Sequence, residues 1–270
     1  MKSRDVMIIL CAIVVMFLGG SFFLKQYIQN ENSNNDVSKM IISKYTAEHL
    51  PYIEVDNKMD NIKKEYTTMI RGVEYCGKLD DVFYLNTIDE ICANYMCDDG
   101  TSFDVDLSKD KVIAVYFKHN KDENKEVISD EKKETIATEC AKEFIDIENY
   151  RVEIDKSGSG ICYIFTRYVG EFKTCEEVRV FVKETGYIST IWTVELGEFD
   201  NVSLEGADDN KSEETLAEKI KKDYGEKSEY EVNDKFLIKT QKNEIAMLYN
   251  IDLTKENGMC ERDFFIVLWE

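Results

Sequence analysis

The spacing of hydrophobic positions along this chain changes several times, and each change predicts an element. Residues 6–24 (VMIILCAIVVMFLGGSFFL) run without a charge. At 1.5 Å rise per residue a helix over this stretch extends about 28 Å, close to the thickness of a bilayer's hydrocarbon core. Residues 29–36 (QNENSNND) are polar and aperiodic, a short tether. Asp36 is placed to cap a short helix carrying Val37, Met40, Ile41 and Tyr45 on one face and ending near Pro51. Met59, Ile62, Tyr66, Met69, Ile70 and Val73 then form one stripe at helical spacing, so a helix is predicted there, with Gly77 as its terminator.

After Gly77 the pattern shortens to a period of two. VFYL at 82–85 and ICANYM at 91–96 read as strands, and Asp98-Asp99-Gly100 as the hairpin turn leading into TSFDVDL. In that return run Phe103, Val105 and Leu107 alternate with Asp104 and Asp106, which predicts one buried face and one wet face. SKDK makes the next turn and VIAVYF at 112–117 the next strand, followed by a polar surface connection over 118–126.

Residues 129–194 are the clearest unit. Ser129 with an acidic first turn opens a helix whose stripe is Ile136, Cys140, Phe144 and Ile147. YRVEI, ICYIFTRY, EEVRVFV and YISTIWTV follow as strands, with KSGSG and KETG as turns. A third round begins at Ser212 with a helix carrying Leu216, Ile220 and Tyr224. Its strands are YEVNDKFLIKT, EIAMLYNIDL and DFFIVLWE. The last is apolar, and as an edge it is expected to be covered by a segment of another module.

The predicted fold class is therefore α+β: tandem modules, each of one helix packed on an antiparallel β-sheet, preceded by an N-terminal transmembrane helix. The predicted organisation is a cytoplasmic tail over 1–5, an anchor over 6–24, and a tether with a short helix over 25–55. Modules then occupy 56–127, 128–200 and 201–270. Ile91-Cys92-Ala93 against Ile161-Cys162-Tyr163 sets an internal offset of about 70 residues, which suits small α+β repeats.

Charge and cysteine content narrow the function classes. The net charge is −20, from 54 acidic and 34 basic residues. Such a field repels phosphate backbones, so nucleic acid is an unsuitable partner. Lys2 and Arg4 before the apolar run predict an N-terminus left in the cytoplasm and a C-terminal region outside it. A cleaved signal peptide, cut after Ser21, is the competing reading, but Phe22-Phe23-Leu24 continue the apolar run past that site. Cys11 lies inside the run. Beyond it stand Cys76, Cys92, Cys97, Cys140, Cys162, Cys175 and Cys260, an odd number with no zinc-ligand spacing, so disulfides are neither required nor excluded. Cys140, on the apolar face of its helix, reads as a buried small hydrophobe.

The middle unit resembles the PepSY-type repeats of YcdB/YcdC-like bacterial envelope proteins, which are related to peptidase propeptides. The residues carrying the likeness are the Ser-Asp-Glu-Lys helix opening at 129–132, IFTRYVGEF at 164–172, and VRVFVKETGYIST at 178–190. The resemblance implies an extracytoplasmic α+β module that binds or restrains peptidases, and it brings no catalytic residues.

No catalytic, cofactor-binding or metal-binding residue is assigned from the sequence. The two histidines, His49 and His119, form no metalloprotease motif, and no phosphate-binding or dinucleotide loop is present. Asp104, Asp106 and Ser108 resemble the start of a calcium loop, but Lys109 occupies the position that needs glycine. Thr174-Cys175, with His119 upstream and Arg179 downstream, resembles in outline a sortase-like cysteine transpeptidase with nucleophile, proton shuttle and oxyanion holder. Arg179 is too near Cys175 for that pattern. Six aromatic residues (Tyr163, Phe165, Tyr168, Phe172, Tyr187 and Trp192) are candidates for a peptide groove, with sheet packing as the plainer account.

The expected function is thus a membrane-anchored, non-catalytic binding or regulatory protein of the cell envelope, acting on an envelope protein or peptide, a peptidase among them. The alternatives are the anchored transpeptidase and a sensor or assembly subunit of an envelope complex.

Overall fold

Arg71 and Gly72 both adopt positive φ, 54° and 71°. That is the backbone of a two-residue hairpin turn, whose twist matches the strands it joins. It separates β1 (Glu65–Ile70) from β2 (Val73–Leu85), paired antiparallel from Glu65↔Lys78 to Ile70↔Val73. Over the described part of the stretch where a helix was expected, residues 62–73, there is a strand, a turn and the start of a second strand, and no helix. Within EYTTMI, positions alternate between exposed and half-buried or buried, so a period-two pattern competed with the helical one and sheet pairing decided between them.

The computed structural model describes residues 62–85, 90–118, 126–156, 160–204, 209–240 and 242–269. The chain divides into Met1–Ile41 and Ile42–Glu270, and the described residues all belong to the second unit. The apolar run at 6–24, the tether and short helix over 25–55, and both histidines lie outside the described residues. Among those described, no helix is long and apolar enough to cross a membrane.

Ten further strands follow among the described residues. They are β3 (Glu90–Cys97), β4 (Ser102–Asp106), β5 (Lys111–Tyr116), β6 (Tyr150–Asp155), β7 (Gly160–Val169), β8 (Phe172–Lys183), β9 (Ile188–Val194), β10 (Glu229–Lys239), β11 (Ile245–Thr254) and β12 (Cys260–Leu268). Two α-helices lie among the described residues, α1 (Asp130–Ala141) and α2 (Asp209–Tyr224). Ser129 caps α1, its hydroxyl accepting from the Lys132 N–H.

The sheet runs β1-β2-β3-β4-β5-β9-β8-β10-β11-β12, with β7 branching from β8 and β6 pairing β7. This corrects the expected fold class. The described residues are predominantly β, in one mixed twelve-stranded sheet, and not tandem helix-on-sheet modules. Two joints make the sheet continuous where separate modules were expected. β5 pairs β9 antiparallel through Ala114↔Trp192 and its neighbours, and β10 pairs β8 in parallel at Leu237↔Thr174. Strand edges carry unpaired N–H and C=O groups, so edges brought together join unless something blocks them. Nothing in a strand's own hydrophobic pattern names the strand it will pair with.

Across the middle strands one face is packed. Tyr95, Phe103, Val115, Ile191, Val180 and Tyr163 lie opposite one another in register from β3 to β7, and all are buried. Ala137, Cys140 and Ala141 of α1 bury into the same cluster. Each large side chain buried this way contributes about 1.5–3 kcal/mol against exposure. Val178, Val180 and Val182 share that face.

Candidate functional site

Residues directly opposite on neighbouring strands share a face, and the next register row carries different chemistry. Asp81 faces Asn94, Asn94 faces Asp104, Asp104 faces Ala114, Ala114 faces Trp192, and Trp192 faces Arg179. This row lies on the side of the sheet away from α1. Bulges at Leu79/Asp81 and at Asp104/Val105 interrupt the ladders here. A bulge adds local twist and re-aims side chains.

The result is a concavity of about 420 Å³, within the range of small-ligand clefts. Its floor is Asp104, Asn94 and Ser102, and its walls are Asp80, Asp81 and Phe83 of β2 with Tyr116 of β5 and Trp192 of β9. Asp104 is only 6% exposed. Its Oδ1 accepts from Asn94 Nδ2 at 2.6 Å, and its Oδ2 accepts from the Tyr116 hydroxyl at 3.0 Å. Burial pushes the Asp104 carboxyl above its usual range, against the pull of these two donors. Burial likewise raises the Tyr116 phenol, with the Asp104 charge adding to it. Beyond Trp192, the Arg179 guanidinium lies 5.8 Å from the indole centroid, held by Glu177 Oε2 at 2.7 and 2.8 Å.

Asp104 and Asp106 are not on a wet face, as their alternation predicted. Asp106 is 1% exposed and its Oδ1 accepts from the Ser108 N–H, the Ser108 hydroxyl and the Lys109 N–H. It is a turn-forming aspartate. Among the described residues no cluster of histidine, cysteine and carboxylate side chains has the makings of a metal site.

A second polar cluster is structural. Glu176, 1% exposed, accepts from the Tyr150 hydroxyl, from Arg167 Nη1 at 3.4 Å, and from the Gly197 and Phe199 N–H groups at 2.9 and 3.2 Å. Arg167 also reaches Asp200 at 2.6 Å. The carboxylate thus ties the loop after β9 to the β7–β8 hairpin.

The transpeptidase constellation is not assembled as drawn. Cys175 is 8% exposed on β8, and Arg179 is four residues along the same strand. At about 3.3 Å per residue their backbones are about 13 Å apart, too far to serve one reacting carbonyl. Arg179 is engaged with Glu177 and Trp192, and His119 lies outside the described residues. Of the six aromatic groove candidates, only Trp192 lines the concavity. Tyr163 and Phe165 are core, Tyr168 lies beneath the Arg151 guanidinium, Phe172 packs on Trp269, and the Tyr187 hydroxyl donates to the Lys118 carbonyl. Asn94, Ser102 and Tyr116 gave no sequence signal, because nothing local links three residues from three different strands.

No protein-family model matches this chain, and no curated protein matches it. Among solved structures, the Bacillus megaterium YpeB C-terminal domain is similar at 12% identity and a TM-score of 0.36, over 89% of this chain and 99% of that one. A likeness that distant carries no argument about the activity of this chain.

Proposed function

We propose that this chain is a non-catalytic binding or regulatory protein of the cell envelope. It is held at the membrane by residues 6–24, and it engages another envelope protein, a peptidase among the candidates, through the sheet face away from α1. The observation that carries this reading is the concavity between β2 and β9, where aromatic walls and carboxylates meet on a face that α1 leaves uncovered. Mixed aromatic and polar lining is what a recognition surface needs: contact area from the rings and orientation from the polar groups. The charge-free run before an acidic body and the PepSY-like pattern over 128–200 also support it.

The test is site-specific photo-crosslinking in native membranes. A photoreactive residue at Thr190, on the same face as Tyr116, is expected to trap one partner reproducibly. A photoreactive residue at Glu139 on α1 is not. Equal trapping from both positions, or none from Thr190, rejects the assignment of this face.

A further inference from the structure

We infer that the concavity receives a cationic side chain, lysine or arginine, from a partner polypeptide. The inference deepens the binding reading above and rests on it. Two independent features of the cavity converge on a cation. The first is charge: Asp80 and Asp81 stand on one wall and Asp104 on the floor, and no lysine or arginine is among the residues that line it. The second is the aromatic wall. Phe83, Tyr116 and Trp192 line the same space, and an aromatic ring face attracts a cation through its quadrupole, most strongly for tryptophan. Trp192 already has one guanidinium near it, that of Arg179. A second cation entering from the cavity meets the same ring together with carboxylates that Arg179 does not use.

The burial of Asp104 suits this role. Its two donors, Asn94 and Tyr116, hold the carboxylate in place before any ligand arrives, so little ordering is left for binding. A buried carboxylate facing a cavity also gains more from an incoming cation than an exposed one, because water screens it less. The fit is to an organic cation on a flexible stem, since the aromatic walls require apolar contact along the approach.

The experiment uses the full-length chain carrying Trp269→Phe. The chain has two tryptophans, so Trp192 becomes the sole indole reporter. The probes are the capped tripeptide Gly-Arg-Gly, its counterpart with neutral citrulline in place of arginine, and spermidine. The expected result is a saturable change in Trp192 emission with the arginine peptide, and affinity about tenfold weaker for citrulline. Asp81→Asn and Asp104→Asn are each expected to weaken arginine binding several-fold. Asp252→Asn, remote on β11 and paired with Arg262, leaves it unchanged. Equal affinity for arginine and citrulline, undiminished affinity in both aspartate variants, or no Trp192 response overturns the inference. Spermidine binding as tightly as the peptide overturns the polypeptide source. Asp81 is exposed, so its variant decides the matter if Asp104→Asn does not fold. Continued crosslinking from Thr190 alongside any of these failures leaves the binding face standing and removes only the cation.

Discussion

The Lys219 ammonium donates to the backbone carbonyl of Ile266 at 2.7 Å. Hydrogen-bonding direction alternates along an antiparallel strand. The Trp269 N–H bonds the Ile245 carbonyl, so Ile266, three residues earlier, points away from β11 onto the open edge. The next outward residue in that direction is Phe264, whose N–H donates to Asp263 Oδ1 at 2.8 Å, and the Tyr224 hydroxyl donates to the other oxygen of the same carboxylate. The apolar last strand was expected to need a cover from another module. α2 contributes through Lys219 and Tyr224, and Phe172 of β8, within the 128–200 segment, packs against Trp269. Lys219→Ala is expected to cost about 1 kcal/mol and to promote concentration-dependent association through β12. Urea titration and sedimentation velocity check the two effects separately.

Glu176 has charged or polar donors on every side, so a partial change is more damaging than its size suggests. Glu176→Gln turns an amide N–H₂ toward at least one existing donor and leaves Arg167 facing a neutral group. The expected loss is about 3 kcal/mol, with faster hydrogen exchange at Gly197 and Phe199. Unchanged exchange there would show that the loop after β9 is held by something else.

Gly186 adopts φ +82°, and a Cβ there would fall 2.7 Å from Ile128 Cδ1 and 3.0 Å from Ile136 Cδ1. Gly186→Ala is therefore strained in its backbone and crowds the start of α1. A cost of about 1–2 kcal/mol follows, read from the thermal midpoint, while Gly170→Ala, whose added Cβ meets nothing, shows the backbone contribution alone.

Asp104 governs a pH effect whose sign runs opposite to that of the paired surface carboxylates. Its folded pKa is raised by burial, so the folded state holds this proton more tightly than the unfolded chain. The opposition to folding is present above the folded pKa and disappears as the pH falls toward the unfolded value of about 3.9. Asp110, Asp130 and Asp252 are shifted down, by hydrogen bonds from Lys63, Lys156 and Arg262 respectively, and their contributions are lost on acidification. The stability of Asp104→Asn relative to the parent is thus expected to decline as pH falls from neutral toward 4. Urea titrations of both proteins at several pH values measure it, and a difference independent of pH contradicts the assignment.

Thiol chemistry should divide by burial. Cys76 and Cys260 are exposed, whereas Cys92, Cys97, Cys140, Cys162 and Cys175 are buried. Burial pushes Cys140 up to about 12 and Cys162 to about 11, and it is the thiolate that reacts. Among these seven, brief alkylation of the native protein at pH 8 is expected to label Cys76 and Cys260. Unfolding exposes the rest, as peptide mass spectrometry of both states will show.

Much of the local structure was legible in the amino-acid order. Val178, Val180 and Val182 alternate because a strand with one buried face requires it. Asp98-Asp99-Gly100 turns the β3–β4 hairpin because glycine tolerates the φ of +86° found there. Ser129 caps α1, and Leu216 and Ile220 bury the inner face of α2. These features depend on neighbours a few residues away.

The features that depart from the local pattern depend on residues far apart in the chain. The stripe from Met59 to Val73 satisfied helical spacing, but its Arg71-Gly72 turn and pairing with β2 were stronger. Asp104 looked solvated by alternation alone, since the Asn94 and Tyr116 side chains that enclose it come from other strands. The sequence by itself determined the strands, the turns, the caps and the acidic balance of this protein, because those rest on local sterics and periodicity. Only the tertiary structure decided that the strands share one sheet, which edges join, and that β2, β4, β5 and β9 bring carboxylates and rings to a single cavity. Register and edge pairing depend on residues far apart in the chain, and no local pattern encodes which distant strand will be the neighbour.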